Sequence, residues 1–385
     1  MTTTINASNS GSGGLVQTAD ASGVLALQTA GTTALTLDTS QNATFAGYAN
    51  LPNTFGFKNR IINGAMVIDQ RNAGASVTPA NGAYTLDRWA AFTNGVGVYT
   101  VQQSSTAPSG FSNSILSTVT TIDSSVAGTD YYMLQHKIEG FNSADFAWGT
   151  ASAAAVTLSF WVRSSITGTY SVKLGNSASD RFYVATYTIS SANTWEQKTI
   201  SLSGDTSGTW VTNNGTGIEI RFGFAIGSSF TTSTIAAWSA GSSFGATTAS
   251  NNWIGTNGAT FYITGVQLEK GSTATSFDVR SYGTELALCQ RYCFVPSSDT
   301  SGTAYNTTTF YSQLKFPVVM RASPSSTYSA ASGYNVFSNN TGAAPSAVST
   351  DTAFTDGILI KATGTYVTSS GGFFRQGSTI YSAEL

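Results

Sequence analysis

The sequence holds one histidine, His136, and two cysteines, Cys289 and Cys293. A serine or cysteine nucleophile needs an imidazole at its side and an acid to orient that imidazole. In Tyr132 to Glu139, YMLQHKIE, strand alternation puts His136 in line with Leu134 and Ile138, which reads as a strand histidine and not as a general base. Cys289 and Cys293 are four apart in a run with helix character, so their thiols share a face. Two thiols are half of a tetrahedral metal site and a single histidine cannot complete it, so buried thiols are the expectation. Glycan hydrolysis needs two carboxyl groups several ångströms apart. The densest acids, Asp123, Asp130, Glu139 and Asp145, flank turns or end a strand. Gly241 to Gly245 lacks the Lys-Ser/Thr ending of a phosphate loop, and the Asp/Asn-rich turns at 38–42 and 299–302 match no calcium loop. The expectation is a non-enzyme without cofactor or metal.

Aromatic residues beside amides are better placed to do chemistry. A sugar ring stacks its C–H face on Trp or Tyr while its hydroxyls bond to Asn, Asp and Gln. Trp210 stands in GTWVTNN with Asn213 and Asn214, Trp253 follows Asn252, and Trp238 lies between them. Tyr305, Tyr334 and Asn335 form a second candidate patch, with Asn306, Asn339 and Asn340 nearby. Loop tryptophans also plug the ends of β-sandwiches, and the sequence leaves that reading open.

The elements that must carry these residues are strands. Aromatics at 12%, 39 glycines and abundant Thr, Val and Tyr favour short strands and tight turns, so the predicted class is all-β. Residues 1–14 read as a polar attachment arm. Residues 15–54 carry a ten-residue period, with Leu15, Leu25, Leu35 and Phe45 ten apart and Leu27 and Leu37 two places on. Each unit exposes one apolar stripe and cannot bury it alone, so these leucines and Phe45 are the predicted oligomerisation contacts of a β shaft or collar. An edge hairpin of the next domain is the alternative. Residues 55–282 hold some ten strand candidates, among them 65–69, 130–138, 156–164 and 260–268, without helical periods between them, predicting a jelly-roll sandwich. Apolar residues on both faces of Leu158 to Val162 predict a central strand with Trp161 in the core. Residues 283–385 read as a linker helix and a smaller β tip, with Phe316-Pro317 at a strand end. Phe261 to Tyr292 joins the two modules.

Only 9% of residues are charged, the net charge is −2, and no basic cluster appears, which disfavours nucleic acid and acidic membranes as partners. No apolar run reaches the roughly 18 residues of a membrane span, and the opening MTTTINASNSGSGG lacks a basic-then-apolar leader, so cytosolic synthesis without export by a standard signal is expected.

Several phrases carry a resemblance. NATFAG (42–47), FKNRIINGAMVIDQRNAG (57–74), YTLDRW (84–89), TLSFWVR (157–163), GVQLE (265–269) and LCQRY (288–292) occur in this order. In this the chain resembles appendage proteins of tailed bacteriophages that carry a carbohydrate-binding-like jelly roll, over residues 15–292, with a weaker match in FPVVMR (316–321). The resemblance implies a virion protein, a fibre-like homotrimer joined to other virion proteins through its N-terminal region and to host polysaccharide through the distal part. Family members include fibres, spikes and capsid-attached fibres, so three readings stay open: glycan-binding attachment, a decoration or connector without glycan binding, and a short depolymerising spike.

Overall fold

The computed structural model describes residues 3–7, 15–18, 21–46, 57–249, 251–338, 341–368, 370–375 and 379–385. It is all-β, with one α-helix, Tyr282–Gln290, among the described residues. Two units divide the chain, 1–56 and 57–385.

The first unit is one five-stranded sheet in the order Leu15–Thr18, Thr3–Ala7, Leu25–Thr29, Thr32–Leu37, Ala43–Phe45. Leu15, Leu25, Leu35 and Phe45 each fall in a strand, as the period predicts, but the units do not stack in sequence order. Thr3–Ala7, within the stretch read as a polar arm, enters between two of them and pairs parallel with Leu25–Thr29. Its Thr-Thr-Ile run suits a pleated strand better than a free arm. Ala30 and Gly31, both at positive φ (51° and 77°), close the hairpin from Leu25–Thr29 to Thr32–Leu37 as a two-residue turn whose twist matches the strands. Leu25 opposes Leu37, and Leu35 opposes both Leu27 and Phe45, so these five side chains share one face. Leu27 is 36% and Phe45 43% exposed. Leu15 opposes Ala7 in register, and its side chain lies outside the described ones.

The second unit holds two cores. Its first sandwich packs a seven-stranded sheet against a five-stranded one, both antiparallel. The seven-stranded sheet centres on Gly168–Gly175, Thr216–Ile226 and Tyr131–Glu139, and the five-stranded sheet on Val156–Ser164 and Thr260–Lys270. Leu158, Phe160 and Val162 point into the core, so Trp161 falls on the outer face and is only half-buried. The strict period of two corrects the expectation that Trp161 is core. Ala65 to Asp69 is no strand: Asn63 and Met66 take positive φ, and the Asn63 side chain bonds both Ile68 main-chain groups, making a fixed loop.

The second core belongs to a seven-stranded sheet and a three-stranded sheet formed by residues 293–382. Phe316-Pro317 follows the strand Thr309–Lys315, as predicted. The stretch from Phe261 to Tyr292 holds most of the strand Thr260–Lys270 and the helix Tyr282–Gln290, and ends beside Cys293–Phe294 of the three-stranded sheet. Arg291 forks onto Glu139 with Nε–Oε2 at 2.9 Å, Arg88 lies 3.7 Å over the Tyr292 ring, and Glu384 pairs with both Arg71 and Arg88.

Candidate carbohydrate-contact surfaces

One end of the first sandwich is built around a loop, residues 203–210. Buried Asp205 accepts two bonds from Arg181, Nε at 2.7 Å and Nη2 at 2.6 Å, and a third from the Ser207 amide at 3.1 Å. The fork raises the Arg181 pKa above its ordinary value, first through these hydrogen bonds. Ser207 then accepts the Trp210 indole N–H at 3.1 Å. Trp210 stands edge-on to Trp148 at 4.7 Å and to Trp238 at 5.4 Å, and Trp238 meets Trp148 at 5.1 Å and Tyr183 at 5.4 Å. Trp238 donates its indole N–H to Ser203 O at 2.7 Å and Trp148 to Ala154 O at 2.8 Å. Trp148 is buried while Trp210 and Trp238 keep part of their surface in solvent. The result is a fixed aromatic surface whose polar edges are already satisfied and whose open ring surface offers C–H/π contact to a sugar. The sequence named Trp210 and Trp238 as separate candidates; the structure brings them together, with Trp148 and Tyr183, which sequence reasoning missed.

The other candidates distribute differently. Trp253 is 0% exposed, against Phe224 at 4.6 Å and Tyr99 at 5.6 Å. It is core, which corrects the binding expectation: the turn Asn251-Asn252 that seemed to present it instead caps the sandwich, with Asn251 Oδ1 accepting from the Trp253 amide at 3.2 Å. Asn252 is exposed, its main-chain oxygen accepting from the Thr256 hydroxyl at 2.8 Å. Asn213 is exposed and turns the chain, Oδ1 to Gly215 N at 2.9 Å. Asn214 faces the second core, where its main-chain oxygen accepts from Arg321 Nη1 at 3.0 Å. Asn214 stays exposed, and its Nδ2 lies 3.4 Å from Arg321 O.

In the C-terminal sandwich Tyr334 is buried, stacked on Phe374 at 5.4 Å with its hydroxyl 2.8 Å from Thr379 Oγ1. Alternation along Tyr334 to Ser338 turns Tyr334 and Val336 inward, which corrects the expectation of an exposed tyrosine. Asn335 is half-buried in register with Arg375. Tyr305 is 71% exposed and meets Tyr311 edge-on at 6.0 Å. Phe337 and Phe373 stack at 4.5 Å with Arg375 4.9 Å over Phe337. Between the two sandwiches an open cleft of about 880 Å³ is lined by Gln70, Arg71, Thr327, Tyr328 and Ser329.

The groups considered for catalysis are engaged in structure. His136 is buried, edge-on to Trp89 at 5.0 Å, with Nε2 3.0 Å from Ile62 O. A carbonyl only accepts, so Nε2 carries the hydrogen. Burial, then the nearby Arg88, hold its pKa well below the usual imidazole range. Cys289 and Cys293 are both buried and free, and burial pushes both thiols up. Asp123 accepts from the Tyr132 hydroxyl at 2.8 Å, Asp130 from the Ala127 amide at 2.9 Å, and Asp145 pairs with Arg60 at 3.0 Å. Glu139 is lowered by Arg291 and Tyr292 against the opposing effect of burial. Asp38 caps its own turn, Oδ1 accepting from the Ser40 and Asn42 amides at 2.9 and 2.8 Å.

No protein-family model matches the chain. No curated protein matches it either. Among solved structures, the enzymatically active domain of tailspike protein 4 of bacteriophage CBA120 is similar over 55% of this chain at 14% identity and a TM-score of 0.32, and the match spans only 21% of that chain. The family 11 carbohydrate-binding module of a Clostridium thermocellum cellulosomal cellulase is similar over 53% of this chain and 99% of its own, at 11% identity and a TM-score of 0.28. The xylan-binding domain from Paenibacillus barcinonensis Xyn10C is similar over 53% and 99%, at 10% identity and 0.24. Scores this low carry no assignment of function.

Proposed function

We propose that this protein is a surface appendage of a tailed-phage virion that attaches the particle to host polysaccharide, and that it acts by binding without cutting. The observation that carries the reading is the cluster of Trp148, Trp210 and Trp238. Each indole N–H is bonded to a main-chain carbonyl, and Asp205 and Arg181 brace the loop that presents Trp210. Rings held this firmly lose little freedom when a sugar stacks on them. The ordered phrases resembling phage appendage proteins support the virion context. Single contacts of this kind are weak, and several chains on one particle add through effective concentration. The shared leucine face of the N-terminal sheet supplies the place for self-association, in a homotrimer by this reading.

Titrating the full chain with a panel of bacterial surface polysaccharides while following tryptophan emission tests the proposal. A saturable shift with at least one polysaccharide, reduced at least tenfold in apparent affinity by Trp210→Ala, is expected. No shift with any of them, or a shift that Trp210→Ala leaves intact, overturns it.

A further inference from the structure

The outward face of the C-terminal seven-stranded sheet is open to solvent and has a composition unlike the rest of the chain. Its strands run in the order Thr341–Ala343, Asn335–Ser338, Gly371–Arg375, Thr300–Asn306, Thr309–Lys315, Gly357–Thr363, Ala347–Ala353. Ala304, Phe310, Leu314, Ile358 and Ile360 turn inward. Alternation therefore sends Thr303, Tyr311, Gln313, Lys315 and Lys361 outward. Register aligns them in rows. Phe337 opposes Phe373, Phe373 opposes Ser301, and one row on, Thr303 opposes Tyr311, which opposes Lys361. Phe373 is 40% exposed.

The charges on this face are mostly positive. The seven strands carry three cations, Lys315, Lys361 and Arg375, and one acid, Asp351, which sits in a bulge of the edge strand. Arg375 is met by Asp299 at 3.4 Å, whereas Lys315 and Lys361 make no ion pair or hydrogen bond among the described residues. In a chain of net charge −2 this is a local reversal. A second copy of the chain is a poor occupant, because rotation about an axis on this face would bring like cations together.

We infer that this face binds a polysaccharide whose sugar rings bear carboxylates. The inference rests on the attachment reading above and adds a second, separate contact to it. Tyr311 and Lys361 are directly opposed, with Cβ atoms about 4.5–5.5 Å apart. A ring stacked on Tyr311 sets an exocyclic carboxylate beside the Lys361 ammonium. Phe373, two strands away, lies roughly 10 Å across the sheet at the usual strand spacing and takes a later ring of the same chain. Ser301, Thr303 and Gln313 stand exposed between them as hydroxyl and amide partners.

Retention of the full chain on immobilised polygalacturonate and on neutral dextran, at low and at 0.5 M salt, tests this. Polygalacturonate is expected to retain the wild type at low salt, and at 0.5 M salt retention falls because screening is then short-ranged. Lys315→Gln/Lys361→Gln and, separately, the charge-neutral Phe373→Ala are each expected to weaken retention at least fivefold, while Phe141→Ala, at an exposed ring of the first sandwich, leaves it unchanged. All positions are at the surface, and an unchanged urea midpoint verifies the fold of each variant. No retention of the wild type, equal retention on dextran, or loss with the lysines but not with Phe373→Ala (simple ion exchange) overturns the inference. Absence of polygalacturonate retention together with Trp210-dependent binding of another polysaccharide would sink the inference and leave the attachment reading standing.

Discussion

At the scale of single residues the tryptophans separate by what surrounds them. Trp210 and Trp253 both follow polar turn residues, and sequence offers little to distinguish them. One is half-exposed and the other lies among Phe224 and Tyr99. Trp253→Ala should therefore cost about 3–5 kcal/mol of stability, whereas Trp210→Ala should cost much less and reduce sugar binding. Urea denaturation of the two variants checks this. Tyr305 and Tyr334 divide the same way, because which of two tyrosines faces inward depends on a register that composition does not reveal. His136 gives a pH prediction. Its native pKa lies well below the unfolded value of about 6.5. Above that pH both states are neutral and its contribution is complete. As pH falls, the unfolded chain takes the proton first, so stability is lost from about pH 6.5 down toward the native value. Asp87, raised to about 6 chiefly by burial, works in the opposite direction, stabilising at low pH and losing that effect as pH rises through 6. The difference between wild type and His136→Gln isolates the histidine: the urea midpoint should fall more from pH 7.5 to 5.5 in the wild type. An equal fall would contradict the burial argument.

At the scale of elements, a strand with apolar alternation such as Val156–Ser164, with Val156, Leu158, Phe160 and Val162 on one face, was legible almost to the residue. Ser114–Thr121 was not, because an inward position is filled by Ser117, fully buried between Ile115 and Val119, and breaks the apolar period. The outward face of the C-terminal sheet was illegible for a related reason. Lys315, Lys361 and Phe373 belong to three strands and meet only through pairing. That sheet depends on close backbone approach at Gly372, where a Cβ would lie 1.8 Å from Phe337 O. Gly372→Ala should unpair Asn335–Ser338 from Gly371–Arg375 and abolish polygalacturonate retention together with the tip's stability. The phrases YTLDRW and LCQRY have a structural use: Arg88, Glu139, Arg291 and Tyr292 lock the two sandwiches, with Glu384 closing onto Arg71 and Arg88. Glu384→Gln leaves two buried guanidinium groups without their carboxylate. A loss of about 3–5 kcal/mol is expected, read as separate melting of the two sandwiches by calorimetry.

At the scale of the molecule, the N-terminal sheet has an apolar face, with Leu27 and Phe45 at its most exposed points, that no second sheet covers among the described residues of that unit. A sheet with one apolar face is stable when that face is covered. Other copies of the same chain meet the need with identical leucine rows, and Leu27→Ser/Leu35→Ser should lower the solution mass to that of one chain by sedimentation. A monomeric wild type would remove multivalency from the account and leave the sugar-binding surfaces as single sites. The most direct test of the central claim is polysaccharide retention of the wild type beside Trp210→Ala/Phe373→Ala, which removes one ring from each proposed surface and alters no charge. The account predicts that at least one bacterial surface polysaccharide retains the wild type and that the double variant, folded and of the same mass, elutes unretained. Equal retention of the two proteins would contradict it.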